Sequence, residues 1–268
     1  MLISTVIITL REVLEAAILF SVLFRVSAIL NVSKSWFFPA FLCGLLGAIY
    51  YALNLSWISD SFEGVGQEVV NASIQFMIYI LIVFYILGVL WIYYFQSAKK
   101  NNHWQLILLM SIIAVLLVSR EGSEILLYFF SIIAHTQQAM PIIMGMMIGA
   151  SIGISIGFLF YYSLKALKSS HSLFISLWLL IFVAAGMISQ ASALMIQADW
   201  LNAGLPLWNS SAWLSERSTT GQLFYALLGY EATPSKIQVI LYMSALILPL
   251  LLILFLTFWH QKMISKHV

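Results

Sequence analysis

The amino-acid sequence predicts an all-α polytopic membrane protein with seven transmembrane helices, an inverted 3+3 repeat plus a seventh helix. Three observations predict it. The chain has 268 residues, 62% hydrophobic and 8% charged, where a soluble domain carries about 25% charged residues. Seven apolar runs reach the roughly 20 residues that a membrane-crossing helix needs. The pattern Arg-Glu-x-x-Glu stands twice inside those runs, as Arg11-Glu12-Val13-Leu14-Glu15 and as Arg120-Glu121-Gly122-Ser123-Glu124.

The first run, 2–24, carries the first motif. It lacks a basic leader, and Arg11, Glu12 and Glu15 interrupt what would be the core of a cleavable signal, so it reads as a retained helix. The second, 36–58, is rich in small residues (Cys43, Gly44, Gly47, Ala48) and ends at Ser59-Asp60. The third, 69–95, carries the amides Asn71 and Gln75 and ends before Lys99-Lys100. The fourth, 105–133, holds the second motif. In the fifth, 140–164, Gly145, Gly149, Gly153 and Gly157 recur every fourth residue, a flat stripe suited to close helix packing. Lys165 and Lys168 close it, and the sixth run, 173–198, carries Gln190 and Gln197. Residues 199–235 form a long non-spanning stretch whose Trp200, Trp208 and Trp213 suit the membrane interface, with a short amphipathic helix predicted at 222–230. The seventh run is 237–259.

Motif, small-residue stripe and amides recur in that order, three runs apart, so the two halves have opposite orientation, as in the inverted repeats of transporters. The organisation expected is a single membrane domain, 1–268: a first three-helix repeat (1–98), a second (103–200), an outer interfacial loop (201–235), then the seventh helix and tail (236–268).

Charge sets the orientation. Arg25, Lys34, Lys99, Lys100, Lys165, Lys168, Lys262 and Lys266 fall on one side, and only Arg217 and Lys236 on the other. The first side is then cytoplasmic, with the N-terminus outside and the C-terminus inside. Asp60, Glu63, Glu68, Asp199, Glu216 and Glu231 fall at the outer side, an arrangement that concentrates cations there.

A charge at the centre of a membrane helix costs about 2.5–3.5 kcal/mol on insertion scales. Two copies of a three-charge cluster must therefore face each other, a wet cavity or a cation. Within each copy the two glutamates share a helix face, and the arginine reaches the second of them one turn on. At a rise of about 1.5 Å per residue both motifs lie between the midplane and the outer third of the core. Antiparallel packing of the first and fourth runs brings Glu12, Glu15, Glu121 and Glu124 together. Four carboxylates against Arg11 and Arg120 leave an excess of negative charge that a hard cation relieves. Ferric iron fits, as do magnesium, manganese and calcium; soft copper(I) does not. The same network also reads as a structural pin between two helices, and the two roles are compatible. Glu63 and Glu68 are candidates for an outer approach site, or simply solvated loop acids. Glu68, Asn71 and Gln75 form one polar stripe, facing the ion path or bonding neighbouring helices. The single cysteine, Cys43, excludes an internal disulfide and a cysteine-based metal site. No His-Glu-x-x-His, Cys-x-x-Cys or nucleotide-binding motif is present, so the expectation is a transporter, not an enzyme, with no cofactor and no nucleic-acid partner.

These residues resemble the oxidase-dependent iron permeases, the family of the fungal high-affinity iron permeases and the bacterial EfeU-type proteins. Phe62-Glu63-Gly64, Phe182-Val183-Ala184-Ala185-Gly186 and Leu228-Gly229-Tyr230 are similar to further elements of that family. Val13 stands where the family usually has Gly, and Ser123 where it usually has Leu. The resemblance implies iron as the transported ion, Glu12, Glu15, Glu121 and Glu124 as its path, ferric ion as the delivered form, and a separate periplasmic or surface ferroxidase as partner, in the bacterial inner membrane. Transport of manganese, magnesium or lead is the alternative.

Overall fold

A computed structural model gives the structure of residues 2–95, 103–135, 139–216 and 218–264. The helices are α1 (Leu2–Ile29), α2 (Phe37–Leu53), α3 (Leu55–Asp60), α4 (Gly66–Phe95), α5 (Trp104–His135), α6 (Ala139–Ala166), α7 (Ser169–Gln197), α8 (Thr219–Leu228) and α9 (Lys236–Ile264). There is no β-strand among the described residues. Lys99, Lys100, Arg217 and Lys266, which enter the charge count, lie outside the described residues, as does the side chain of Lys262.

Five helices, α4, α5, α6, α7 and α9, are long and apolar enough to cross a membrane by length and composition. The chain is a multi-pass membrane protein. Helix α1 has the length but carries Arg11, Glu12, Glu15 and Arg25. Helix α2 has 17 residues, because the run expected to continue to residue 58 breaks at Asn54. Asn54 Nδ2 donates to the Tyr50 carbonyl at 2.8 Å, the local side-chain competition that ends helices at Asn. The chain restarts as α3 and then turns through Phe62, Glu63 and Gly64, all with positive φ (53°, 64° and 95°). Gly66 must be glycine here, since a Cβ on it would lie 1.8 Å from the Ile58 carbonyl oxygen.

The bundle is built from three helix pairs: α1 on α6, α2 on α5, and α4 on α7. The first two pairs are parallel and rest on small residues. A Cβ on Gly145, Gly149, Gly153 or Gly157 would come within 2.9 Å or less of Thr5, Val6, Val13 or Ala17, one α1 turn after another. On α2, a Cβ on Gly44 would come within 2.6 Å of Val118, and on Gly47 within 2.2 Å of Ser119. A hydroxyl crosses each seam to a glycine carbonyl: Ser21 Oγ donates to Gly157 O at 2.7 Å and Ser119 Oγ to Gly44 O at 3.2 Å. With lipid as solvent, close backbone approach of this kind is what associates helices.

The third pair is antiparallel, since Gln75 meets Gln190 and Tyr93 meets Phe174. Helix α7 sits at the centre, its Ser172, Ser176, Ala184, Ala185 and Gly186 buried, and α9 packs on it from outside. Helix α8 is capped by Ser218 Oγ, which accepts from Gly221 N at 3.0 Å, and ends at Gly229 with φ +64°. A Cβ on Gly229 would sit 2.3 Å from Gly186 Cα. The glycines of 182–186 and 228–230 are thus two sides of one contact that clamps the segment after α7 to that helix. Tyr230 Oη donates to Leu214 O at 2.9 Å, tying down the rest of the loop.

Val13 departs from glycine without displacing α6 because its partner is Gly153, whose added Cβ would lie 2.9 Å from Val13 Cγ1. In the second copy bulk and space are reversed: a Cβ on Gly122 would lie 2.9 Å from Ala48 Cβ. Gly153→Ala alone overpacks this seam and costs about 1–3 kcal/mol. Val13→Gly in the same chain reproduces the Gly122/Ala48 arrangement and relieves the clash. A double-mutant cycle on unfolding in detergent is expected to give a favourable coupling of about 1 kcal/mol; strict additivity contradicts the pairing.

Candidate metal centre

The two motifs sit at one level because α1 and α5 run antiparallel in contact: Thr5 meets Tyr128 at 3.4 Å, and Glu15 meets Arg120 at 3.4 Å. On a helix of 3.6 residues per turn the three charged groups of each copy project from one side, and the small-residue seams hold the opposite sides of α1 and α5.

Arg120 is the centre of the network. It is 3% exposed and its Nη1 lies 2.6 Å from Glu121 Oε1 and 3.4 Å from Glu15 Oε2. Its Nη2 lies 3.0 Å from Glu124 Oε1, one turn on. Arg11 is half-exposed and looser, with Nε 3.8 Å from Glu12 and 3.7 Å from Glu15. Its Nη2 donates to Tyr225 Oη at 2.5 Å, and the guanidinium carbon lies 4.1 Å from the Tyr225 ring centroid. Helix α8 is therefore more than a surface element, because it lays Tyr225 over the first motif.

Glu12, Glu121 and Glu124 each offer a carboxylate oxygen, and the three oxygens lie within 4.8 Å of one another. Glu12 and Glu121 are buried, while Glu124 is 26% exposed. Glu12 Oε2 and Glu121 Oε2 make no hydrogen bond. Buried carboxylate oxygens without partners are costly, and three converging oxygens are a donor set for a hard cation.

Glu15 is not in that group of three. Its Oε2 faces Arg120 and accepts from Gln190 Nε2 at 3.3 Å, and Gln190 Oε1 accepts from Gln75 Nε2 at 2.7 Å. A polar line thus runs Gln75–Gln190–Glu15–Arg120 across α4, α7, α1 and α5. Gln75 bonds a neighbouring helix, while Asn71 is buried with Oδ1 making no hydrogen bond. Glu63 is exposed on the left-handed turn, and Glu68 is half-buried in the first turn of α4; neither joins the three-carboxylate group. Tyr51 of α2, which sequence reasoning passed over, is buried with its hydroxyl unbonded and lies within electrostatic reach of both Glu124 and Glu68. Glu216 and Glu231 serve the segment between α7 and α9. Glu216 Oε1 accepts from Ala232 N at 2.5 Å and Glu231 Oε2 from Gln238 Nε2 at 2.7 Å. Burial pushes the Glu231 carboxyl above the usual range, partly offset by that bond from Gln238.

The fold and site define the chain as a multi-pass helical membrane protein that brings paired acids and arginines together inside an apolar shell. Residues 2–268 match the Iron permease FTR1 family, and the chain belongs to that family. It is 31% identical over 162 residues to the ferrous iron permease EfeU of Shigella flexneri, a stretch covering 57% of this chain and 64% of that protein. It is 30% identical over 162 residues to the putative inactive ferrous iron permease EfeU of Escherichia coli strain K12, covering 57% of this chain and 54% of that one. The ferrous iron permease EfeU of Escherichia coli O157:H7 is similar to the same extent, 30% over 162 residues, 57% of this chain and 54% of that one. The chain thus spans less than two thirds of the length of the curated relatives it matches. No solved structure matches it.

The two arginines differ in what they hold. Removing one member of a buried ion pair costs about 3–5 kcal/mol, whereas a half-exposed pair contributes about 0–1 kcal/mol. Arg120→Gln is expected to abolish recovery of monodisperse protein, and Arg11→Gln to leave it nearly unchanged, as read by size-exclusion chromatography after graded heating. Equal losses contradict the asymmetry.

Proposed function

We propose that this chain is an iron permease that moves iron inward across the bacterial inner membrane through a carboxylate site made by both Arg-Glu-x-x-Glu motifs. The observation that carries the reading is the convergence of Glu12, Glu121 and Glu124 oxygens within 4.8 Å, in a chain of the iron permease family. Glu12, Glu121 and Glu124 hold the ion directly. Glu15 stands on the arginine side and takes part when Arg120 or the ion shifts. Arg11 and Arg120 keep the acids ionised and in register, as guanidinium forks do for carboxylates. Glu63 and Glu68 collect the cation at the outer mouth, Asn71 lines the approach along α4, and Gln75 supports Glu15 through Gln190.

In this reading α1, α2, α4, α5, α6, α7 and α9 all span, with the N-terminus outside and the C-terminus cytoplasmic. The inverted repeat is supported by the pairing itself. An operation exchanging α1 with α5, α6 with α2 and α4 with α7 interchanges the α1/α6 and α2/α5 pairs and maps the α4/α7 pair onto itself. Glu124 is then the outermost and most exposed of the three acids, and Glu12 and Glu121 lie deeper.

The all-oxygen donor set favours ferric ion, delivered by a ferroxidase partner. The names of the relatives, which say ferrous iron for those proteins, favour the reduced ion. Radiolabelled iron uptake by proteoliposomes, under oxidising chelate or under ascorbate, separates the two. Manganese, magnesium and lead as competitors test the alternative of another hard cation. Glu12→Gln, Glu121→Gln and Glu124→Gln are each expected to lower both uptake and equilibrium iron binding at least ten-fold, the effect of about 1.4 kcal/mol. Glu15→Gln is expected to lower uptake while leaving equilibrium binding within a few-fold. Wild-type uptake by a protein lacking all four carboxylates refutes the permease site.

A further inference from the structure

Below Glu12 and Glu121 lies a cavity of about 600 Å³ walled by α1, α2, α5 and α6. Helix α2 packs on α5 and helix α6 on α1, but α2 and α6 make no substantial contact with each other. The cavity is therefore a cleft with a lateral window. From Glu12 to Phe24 it follows α1 for about 18 Å, somewhat more than one leaflet of a hydrocarbon core about 30 Å thick. Its walls are Phe20, Phe24, Phe37, Phe41 and Phe158, with Ile154 at the window.

Between the two acids and the far end, Ser21 carries the one polar side chain among the lining residues. The one hydroxyl on the α1 wall, Ser21 Oγ, is already bonded to the carbonyls of Ala17 (2.6 Å) and Gly157 (2.7 Å). A bare ion leaving Glu12 and Glu121 downward would lose its oxygens to hydrocarbon, at the cost of burying an unpaired charge. At the far end stands a cation, not an acid. Lys34 Nζ donates to Tyr161 Oη at 3.2 Å and lies 5.1 Å and 5.7 Å from the ring centroids of Tyr161 and Phe24. It has no carboxylate partner among the described residues.

We propose that this cleft is a binding site for an anionic phospholipid of the cytoplasmic leaflet, one acyl chain lying along the phenylalanines and the headgroup phosphate on Lys34. A basic residue at the cytoplasmic mouth of a gap between membrane helices is the arrangement that recognises anionic headgroups. The apolar wall, the one-leaflet length and the lateral window suit a hydrocarbon tail, and the unpaired ammonium suits a phosphate. A tail seated there ends beneath Glu12 and Glu121, so it closes the inner side of the acid cluster with hydrocarbon while it stays. The leaflet assignment rests on the orientation given above; the binding itself does not depend on iron transport.

The test is native mass spectrometry of the purified protein titrated with phosphatidylglycerol or phosphatidylcholine, with unfolding temperature as a check on folding. Wild type is expected to retain phosphatidylglycerol in preference to phosphatidylcholine. Lys34→Gln is expected to weaken phosphatidylglycerol binding about five-fold without changing phosphatidylcholine. Ile154→Trp, which fills the window from a lipid-facing position, is expected to abolish the retained lipid while the fold persists. Equal retention of both lipids by wild type, or unchanged binding in both variants, overturns the proposal. So does a dimer in which a second copy of the chain covers the window and excludes lipid. Lipid preference intact with iron uptake absent leaves this site standing and removes the permease reading instead.

Discussion

The structure depends on one buried guanidinium. Arg120 lies between α1 and α5 with Glu121, Glu124 and Glu15 around it, and each of those acids is too costly to leave alone in an apolar interior. One cation cannot neutralise three carboxylates, and Arg11 is half-exposed and shared with Tyr225. The residual negative charge gathers where Glu12, Glu121 and Glu124 converge. Stability and chemistry meet at this point, because the pairing that makes the buried acids tolerable still leaves Glu12 Oε2 and Glu121 Oε2 without a hydrogen bond.

Everything else places that network. The glycines of α6 and the small residues of α2 hold the backs of α1 and α5, so neither motif helix can rotate its charges away from the other. The amide line from Gln75 through Gln190 to Glu15 ties the antiparallel α4/α7 pair to the same level. Above it, the Gly186–Gly229 contact fixes α8, and α8 sets Tyr225 against Arg11. The segments 182–186 and 228–230 are thus opposite faces of one joint. Their glycines are needed because two backbones meet with no room for a Cβ.

The two motif copies are equivalent in sequence pattern but not in environment. Arg11 faces the Tyr225 ring of α8, while Arg120 is enclosed by carboxylates. Val13 fills a hole made by Gly153, while Gly122 leaves room for Ala48. The four acids therefore divide unequally: Glu12, Glu121 and Glu124 converge, and Glu15 is turned to the arginines and to Gln190.

Much of this was legible in the chain itself. Hydrophobic run length places the helices, because a bilayer of fixed thickness demands runs of fixed length, and the glycine spacing marks the seams. The Arg-Glu-x-x-Glu spacing by itself puts each acid pair on one helix face. What the linear pattern does not encode is partnership across helices. The break of α2 at Asn54 turns on a local hydrogen bond that hydropathy does not register. Tyr51 and Tyr225 read as ordinary aromatics until folding carries them to Glu124 and Arg11. The division of the four acids into three and one was decided by distances set between α1, α5 and α7, since coordination depends on where oxygens meet in space and not on how they are spaced along a chain.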